Sequence, residues 1–225
     1  MSIGIIIQAR TGSTRLPGKV LKPVAGKILL DHVLGRVLLV DFPFKIVVAT
    51  SNLPQDDIIA EHCLDEGVSV FRGSETDVLD RYYQCALENS FEHIVRLTAD
   101  NPFTDIEELT RLIERHLSEQ NDYTHSFGIM PLGVGAEIFT IAALERSAHE
   151  GHAPNHREHV NEYIQEHPEL FKTGLLEVST SKHRPDLRLT VDTEEDYNRA
   201  CAIATHAPDR WIGTEEAIGI CTQSV

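Results

Sequence analysis

IGIIIQARTGSTRLPGKVLKPVAGK, residues 3–27, is the stretch that decides the fold. A run of branched apolar residues, Ile3 to Ile7, stops at Gln8. A loop with two glycines, Gly12 and Gly18, follows and carries Arg10, Arg15, Lys19, Lys22 and Lys27. No acid occurs before Asp31, although the chain has a formal charge of −15. The continuous apolar run is the pattern of a strand covered on both faces, as in a parallel sheet. Gly, Ser, Thr and Pro are also the residues of an ordinary surface turn. Two features favour an anion-binding loop: it leaves a core strand directly, and its basic groups have no local acids to pair with. It is not a Walker A loop, because five residues separate the glycines and Val20 follows Lys19. Nor is it a G-x-G-x-x-G loop.

Outward from this stretch, strand and helix patterns alternate. Leu29 to Val40 has helical apolar spacing, and FKIVVAT (44–50) reads as a second buried strand. A helix is expected near Gln55 to Glu66, a short strand over Val68 to Phe71, and a helix over Thr76 to Asn89. HIVRLT (93–98) is another strand, and Asp105 to Leu117 another helix. This alternation predicts a doubly wound α/β sheet with its ligand beyond the carboxyl ends of the strands. The loops at 10–19, 50–55, 72–77 and 99–105 should gather there. After residue 118 the rhythm changes. Strands are expected over Tyr123 to Phe127, Ala136 to Thr140, Leu175 to Val178 and Leu187 to Val191. Helices are expected over Ile141 to Glu150 and Thr193 to His206, and the tail from Thr214 is weakly determined.

At 225 residues the chain can bury one substantial core. Its acidic balance argues against nucleic acid as a partner, since a phosphate backbone rewards a basic face. No stretch approaches the roughly 20 apolar residues that span a bilayer, so no membrane association is expected. The four cysteines form no C-x-x-C pair and read as reduced thiols of a cytoplasmic protein.

Two aspartates stand where chemistry is expected. Asp100 ends the strand HIVRLTA, where an Asx turn before Pro102 is the plain alternative. Asp192, in LTVDTEED, is also a good helix cap for residues 193–206. Both could hold a divalent cation, because Mg²⁺ takes carboxylate oxygens. His152, His156 and His159 fall at i, i+4 and i+7, but Gly151 and Pro154 interrupt a shared helical face, and the order H-R-E-H is not the H-E-x-x-H of zinc sites.

QARTGSTRLPGKVL resembles the signature of cytidylyltransferases of the spore-coat polysaccharide type, relatives of the synthetases that make CMP-linked acidic sugars such as CMP-Kdo and CMP-neuraminate. The likeness continues in order through FRGSETDVLDRYY (71–83), RLTADNPFTD (96–105), REHVNEYIQEHPELFK (157–172) and LRLTVDTEEDY (187–197). The resemblance implies a nucleotide-diphospho-sugar transferase fold of GT-A type. It implies one domain: a nucleotide half over 1–118, an acceptor and dimerisation half over 119–192, and a C-terminal helix and tail over 193–225. It implies transfer of CMP from CTP to a small anionic acceptor, with Mg²⁺ as cofactor and a homodimer as the assembly. Arg10, Lys19 and Asp100 would be catalytic. Ala9, Arg10, Gly12, Ser13, Arg15, Lys19, Arg72, Gly73, Ser74 and Asp77 would contact the nucleotide. Asp100 and Asp192 would bind the metal, and Glu137, Arg157, Glu158 and His159 would meet the acceptor. One departure stands out: members often read G-L-D-V-E-V-F where this chain has GVGAEIF (133–139), so Gly135 replaces an aspartate. A glycosyltransferase on the same fold is the nearest rival, and the absence of D-x-D at Ala99-Asp100-Asn101 weighs against it. A catalytically silent nucleotide-binding protein is the other, disfavoured by the intact Arg10, Lys19, Asp100 and Asp192.

Overall fold

The computed structural model describes residues 1–223; Ser224 and Val225, the end of the expected tail, lie outside the described residues. In chain order the elements are β1 (Ile3–Gln8), β2 (Pro23–Val24), β3 (Lys27–Ile28), α1 (Leu29–Val37), β4 (Lys45–Ser51), α2 (Asp57–Asp65), β5 (Ser69–Gly73), α3 (Val78–Glu88), β6 (His93–Thr98) and α4 (Ile106–Glu119). There follow β7 (Tyr123–His125), β8 (Glu137–Thr140), α5 (Ile141–Glu150), α6 (Pro154–Glu158), α7 (Glu162–Glu166), β9 (Thr173–Leu175), α8 (Glu194–Ala204) and α9 (Thr214–Gln223). One seven-stranded sheet runs in the order β5-β4-β1-β6-β8-β7-β9. β1 pairs in parallel with β4 and β6, and β8 lies antiparallel to β6 and β7. The sheet is therefore mixed and mostly parallel, with the expected strand β1 in its interior between β4 and β6.

The isoleucines of β1 alternate between two cores. Ile3, Ile5 and Ile7 pack with Leu30 and Val33 of α1, Ile59 of α2 and Leu112 of α4. Ile6 packs on the opposite face with Leu79 and Tyr82 of α3 and Leu144 of α5. Fully burying each such side chain stabilises the fold by about 1.5–3 kcal/mol, so the run is committed to the sheet centre. A third apolar cluster gathers Leu16, Leu29, Phe103 and Val191 with Ala200 and Ile203 of α8, and it backs the loops that leave the strand ends.

Three segments depart from the sequence reading. The strand expected over Leu175 to Val178 forms earlier, as β9 (Thr173–Leu175), because its partner β7 ends at His125. Leu187–Val191 is not a ladder strand. It makes a single parallel bridge, Arg188 to Leu132, and then its hydrogen bonds change partner. Leu189 N–H donates to the Leu132 carbonyl at 2.7 Å, whereas Val191 N–H donates to the Asp100 carbonyl at 2.9 Å. Gly133 permits this crossing: its φ is +97°, and a Cβ there would lie 2.5 Å from the Thr190 nitrogen. The tail, weakly determined by sequence, forms α9 and packs Ala217 into the third cluster.

Candidate active site

The loop after β1 is held by a buried carboxylate. Asp56, fully buried, accepts from the Thr11 backbone N–H and hydroxyl, both at 2.7 Å, and from the Ser51 hydroxyl. Burial opposes ionisation of Asp56, but these hydrogen bonds outweigh it and hold its carboxyl below the usual range. Gly18, at φ +67°, turns the chain into the 3₁₀ turn Lys19–Leu21, and its N–H closes the loop on the Thr11 carbonyl at 2.9 Å.

That turn points Lys19 inward. Its ammonium is nearly buried and donates to Asp100 Oδ2 at 2.7 Å, Asp192 Oδ1 at 2.8 Å and the Val191 carbonyl at 2.8 Å. The basic loop is thus opposed after all, by acids 81 and 173 positions downstream. Arg15 reaches Asp192 at 3.2 Å, and Lys22 reaches Glu194 at 3.4 Å. Burial works against ionisation of Asp192, but Lys19, Arg188 and Arg15 outweigh it and keep its carboxyl below the ordinary range. Asp192 does not cap the following helix. Thr193 does, accepting from the Asp196 N–H at 3.2 Å, which leaves the Asp192 carboxylate to face Lys19.

Two cavities meet at this point. One, of about 280 Å³, is lined by Gln8, Ala9, Arg10, Gly12, Ser13, Arg15, Lys19 and Arg81, with Thr98, Asp100, Glu158 and Asp192. The other, of about 490 Å³, is lined by Arg96, Phe127, Met130, Pro131, Leu132, Gly135, His159 and Pro185, again with Thr98, Asp100 and Asp192. The two aspartates and Thr98 therefore form a shared wall. Most of the residues expected to touch the nucleotide (Ala9, Arg10, Gly12, Ser13, Arg15 and Lys19) stand together in the first cavity.

Arg72, Gly73, Ser74 and Asp77 do not line either cavity. Arg72 is spent on the Ser51 and Leu53 carbonyls and on Asp57. Asp77 caps α3 through the Asp80 N–H at 2.9 Å and binds Arg157 at 2.6 and 2.8 Å. Arg157 is thereby a clamp between α6 and α3 and lines neither cavity, whereas Glu158 lines the first and His159 the second. Glu137 is fully buried. It pairs with Arg96 across the β6–β8 register and accepts from the Tyr123 hydroxyl at 2.6 Å. Arg96, not Glu137, faces the larger cavity. α6 stops at Glu158, so His152, His156 and His159 share no helical face, and His156 is bonded to Glu166 at 2.7 Å.

The residue that sequence reasoning missed is Arg81. It is 1% exposed, donates from Nη1 to the Ser74 carbonyl at 2.6 Å, and has no partner for Nε or Nη2 among the described residues. Ser74 thus bears on the cavity indirectly, by holding Arg81. Burial is the largest influence on Arg81 and lowers its pKa, with the charges of Arg10 and Arg96 adding to that. A buried guanidinium with idle donors is built to receive an anion or a carbonyl-rich ligand. A signal was present: Arg81 lies three residues after Val78 and four before Cys85, on the buried stripe of α3.

Residues 4–216 match the family described as Cytidylyltransferase. The chain is 41% identical over 210 residues to the spore coat polysaccharide biosynthesis protein SpsF of Bacillus subtilis strain 168, covering 91% of this chain and 87% of that one. It superposes on a cytidylyltransferase structure from Leptospira borgpetersenii with a TM-score of 0.93 and 32% identity, covering 100% and 95% of the two chains. A CMP-2-keto-3-deoxy-manno-octonic acid synthetase complexed with CTP shares the fold, with a TM-score of 0.69 at 16% identity over 92% of this chain and 99% of that one.

Proposed function

Since the chain belongs to the cytidylyltransferase family, we propose that it transfers the cytidylyl group of CTP to a small anionic acceptor, a sugar acid or phosphorylated molecule used in polysaccharide precursor synthesis. The observation that carries this reading is the shared wall. A cavity lined by four cations, Arg10, Arg15, Lys19 and Arg81, and a larger, mainly apolar one meet at Asp100 and Asp192. The cationic cavity suits the triphosphate, and the other suits the acceptor. An acceptor oxygen attacks the α-phosphorus, the bond to the bridging oxygen of the β-phosphate breaks, and pyrophosphate leaves. Arg10, Arg15, Lys19 and Arg81 face the side on which negative charge collects, so they favour the transition state and the leaving group electrostatically.

The aspartates also suit Mg²⁺. Their oxygens already converge on one cationic centre, the Lys19 ammonium, at 2.7 and 2.8 Å. No cluster of three or more potential metal ligands of the His, Cys, Asp or Glu type occurs among the described residues. Two carboxylates completed by substrate phosphates is a usual protein contribution to Mg²⁺ binding. Asp100 and Asp192 would hold the ion, which would neutralise charge on the phosphates. Among the described residues no helix is long and apolar enough to cross a membrane. The four cysteines are free thiols, which supports a cytoplasmic setting. Family kinship supports a homodimer, which light scattering would check.

The test is a pyrophosphate-release screen that crosses the four NTPs with sugar acids and sugar phosphates, with and without Mg²⁺. Release is expected only with CTP, an acceptor and the metal together. No release with any pair would overturn the transferase reading.

A further inference from the structure

A third cavity lies apart from the two just described and shares no lining residue with them. It measures about 520 Å³ and is enclosed by β3, α1, Phe103 and the segment between α8 and α9, which carries Trp211. Its charges are unusual. Arg36, 4% exposed, spends its guanidinium on backbone carbonyls alone: Nη2 on Ile212 at 2.7 Å and Nη1 on Thr104 at 3.5 Å. Its Nε has no partner among the described residues. The acid whose field reaches Arg36 is Asp105, which is held by Lys182 at 3.1 Å. Burial drives the Arg36 guanidinium down to about 10, so it keeps its charge at neutral pH.

Lys27 is the second cation. Its ammonium lies 4.6 Å from the Trp211 ring centre and makes no ion pair among the described residues. Arg210, also on the rim, is neutralised by a two-pronged pair with Glu216, both bonds at 2.8 Å. Asp209 is the one acid in the lining. Buried charges are ordinarily paired, because an unpaired one loses its hydration without return. This chain has 35 acids, yet the buried Arg36 takes none among the described residues, and Lys27, although exposed, lines the same cavity.

We propose that this cavity is a second ligand site, separate from the transfer site, that binds a phosphate group carried by a small molecule. The buried Arg36 guanidinium and the Lys27 ammonium at the cavity mouth together match the double charge of a phosphate monoester. The Trp211 and Phe103 rings, 5.8 and 5.6 Å from the Arg36 charge centre, leave flat apolar walls for the rest of the ligand.

Trp211 is the only tryptophan of the chain, so its fluorescence reports on this cavity alone. The experiment titrates the full chain with inorganic phosphate and, separately, with ribose 5-phosphate, at constant ionic strength. A saturable change is expected at or below about 1 mM, a weak but specific affinity. Lys27→Met, at an exposed position, should weaken it about tenfold, the value of one charge-assisted hydrogen bond. Arg10→Met, in the transfer cavity, should leave it unchanged. Tighter binding of ribose 5-phosphate assigns the ring walls to the body of an organic phosphate, whereas equal affinity makes the phosphate group itself the ligand; both support the site. No saturable change with either compound, or the same curve in Lys27→Met, would overturn the proposal. So would loss of the signal in Arg10→Met, which would trace it to the transfer cavity.

Discussion

Arg10, Arg15, Lys19 and Arg81 face one cavity, while Phe127, Met130, Pro131, Leu132 and Pro185 face its neighbour, and Asp100 and Asp192 stand between them. The first set comes from the loop after β1 and the first turn of α3, elements anchored directly on the sheet. The second comes mostly from irregular chain around residues 126–135 and 185–190, stitched together by the Leu132 and Asp100 hydrogen bonds. The difference teaches a division of labour. Charge on rigid supports suits the ligand part that every turnover shares, the triphosphate. Shape and apolar surface on irregular chain suit the part that varies, the acceptor.

The comparison can be broken at its support. The Arg96–Glu137 pair holds the floor of the larger cavity from inside the sheet, and Tyr123 and Gln8 complete it. Removing one charge from a buried pair costs roughly 3–5 kcal/mol. Glu137→Gln should therefore lower the free energy of unfolding by about that amount in chemical denaturation. Near-wild-type stability would show that the pair is not the support claimed here.

Next in size is the cation between the aspartates. Lys19→Met removes charge from the shared wall without removing either carboxylate. The turnover number should fall about a hundredfold to a thousandfold, as on losing one donor to a developing oxyanion. A loss confined to acceptor KM would move Lys19 out of the phosphate role.

Arg81 sharpens the assignment of the cationic cavity. Charge-assisted hydrogen bonds contribute about 1.5–3 kcal/mol, so Arg81→Met should raise KM for CTP by about tenfold to a hundredfold and leave acceptor KM near wild type. If the acceptor KM moved instead, the two cavities would have to be exchanged.

Gly135 gives the smallest effect and the most selective one. A Cβ there would lie 2.8 Å from Ser126 Oγ and 3.3 Å from the Phe127 ring, so any side chain crowds the larger cavity. Overpacking costs about 1–3 kcal/mol. Gly135→Asp should raise acceptor KM about tenfold while CTP KM stays within about twofold. Equal shifts in both constants would deny the division of labour at this position.

How much of this was legible in the sequence follows the same divide. The isoleucine run and its loop were readable because their signals are local: a strand-long apolar stretch, two glycines and a lack of nearby acids. Asp100 and Asp192 were readable as strand-end and helix-start acids. Their convergence on Lys19 was not, because no local pattern records partners 81 and 173 residues apart. Arg81 was missed because one charge on an apolar helical stripe looks like a side chain reaching for solvent. Arg157 was grouped with Glu158 and His159 by the family resemblance of the REHV block, which carries no record that its guanidinium turns away to Asp77. The segment at 187–191 has the composition of a strand, but the bend at Gly133 hands its hydrogen bonds from Leu132 to Asp100 after one bridge.

The central claim is that cytidylyl transfer happens at the wall formed by Asp100 and Asp192. The most direct measurement compares wild type and Asp100→Asn for pyrophosphate release with CTP, Mg²⁺ and an acceptor found in the screen, alongside CTP affinity by calorimetry. Asn keeps the size of the side chain and removes its charge. Turnover should fall at least about a thousandfold, while CTP affinity, which we assign mainly to Arg10, Arg15, Lys19 and Arg81, should stay within about tenfold. Unchanged turnover in Asp100→Asn would contradict the account.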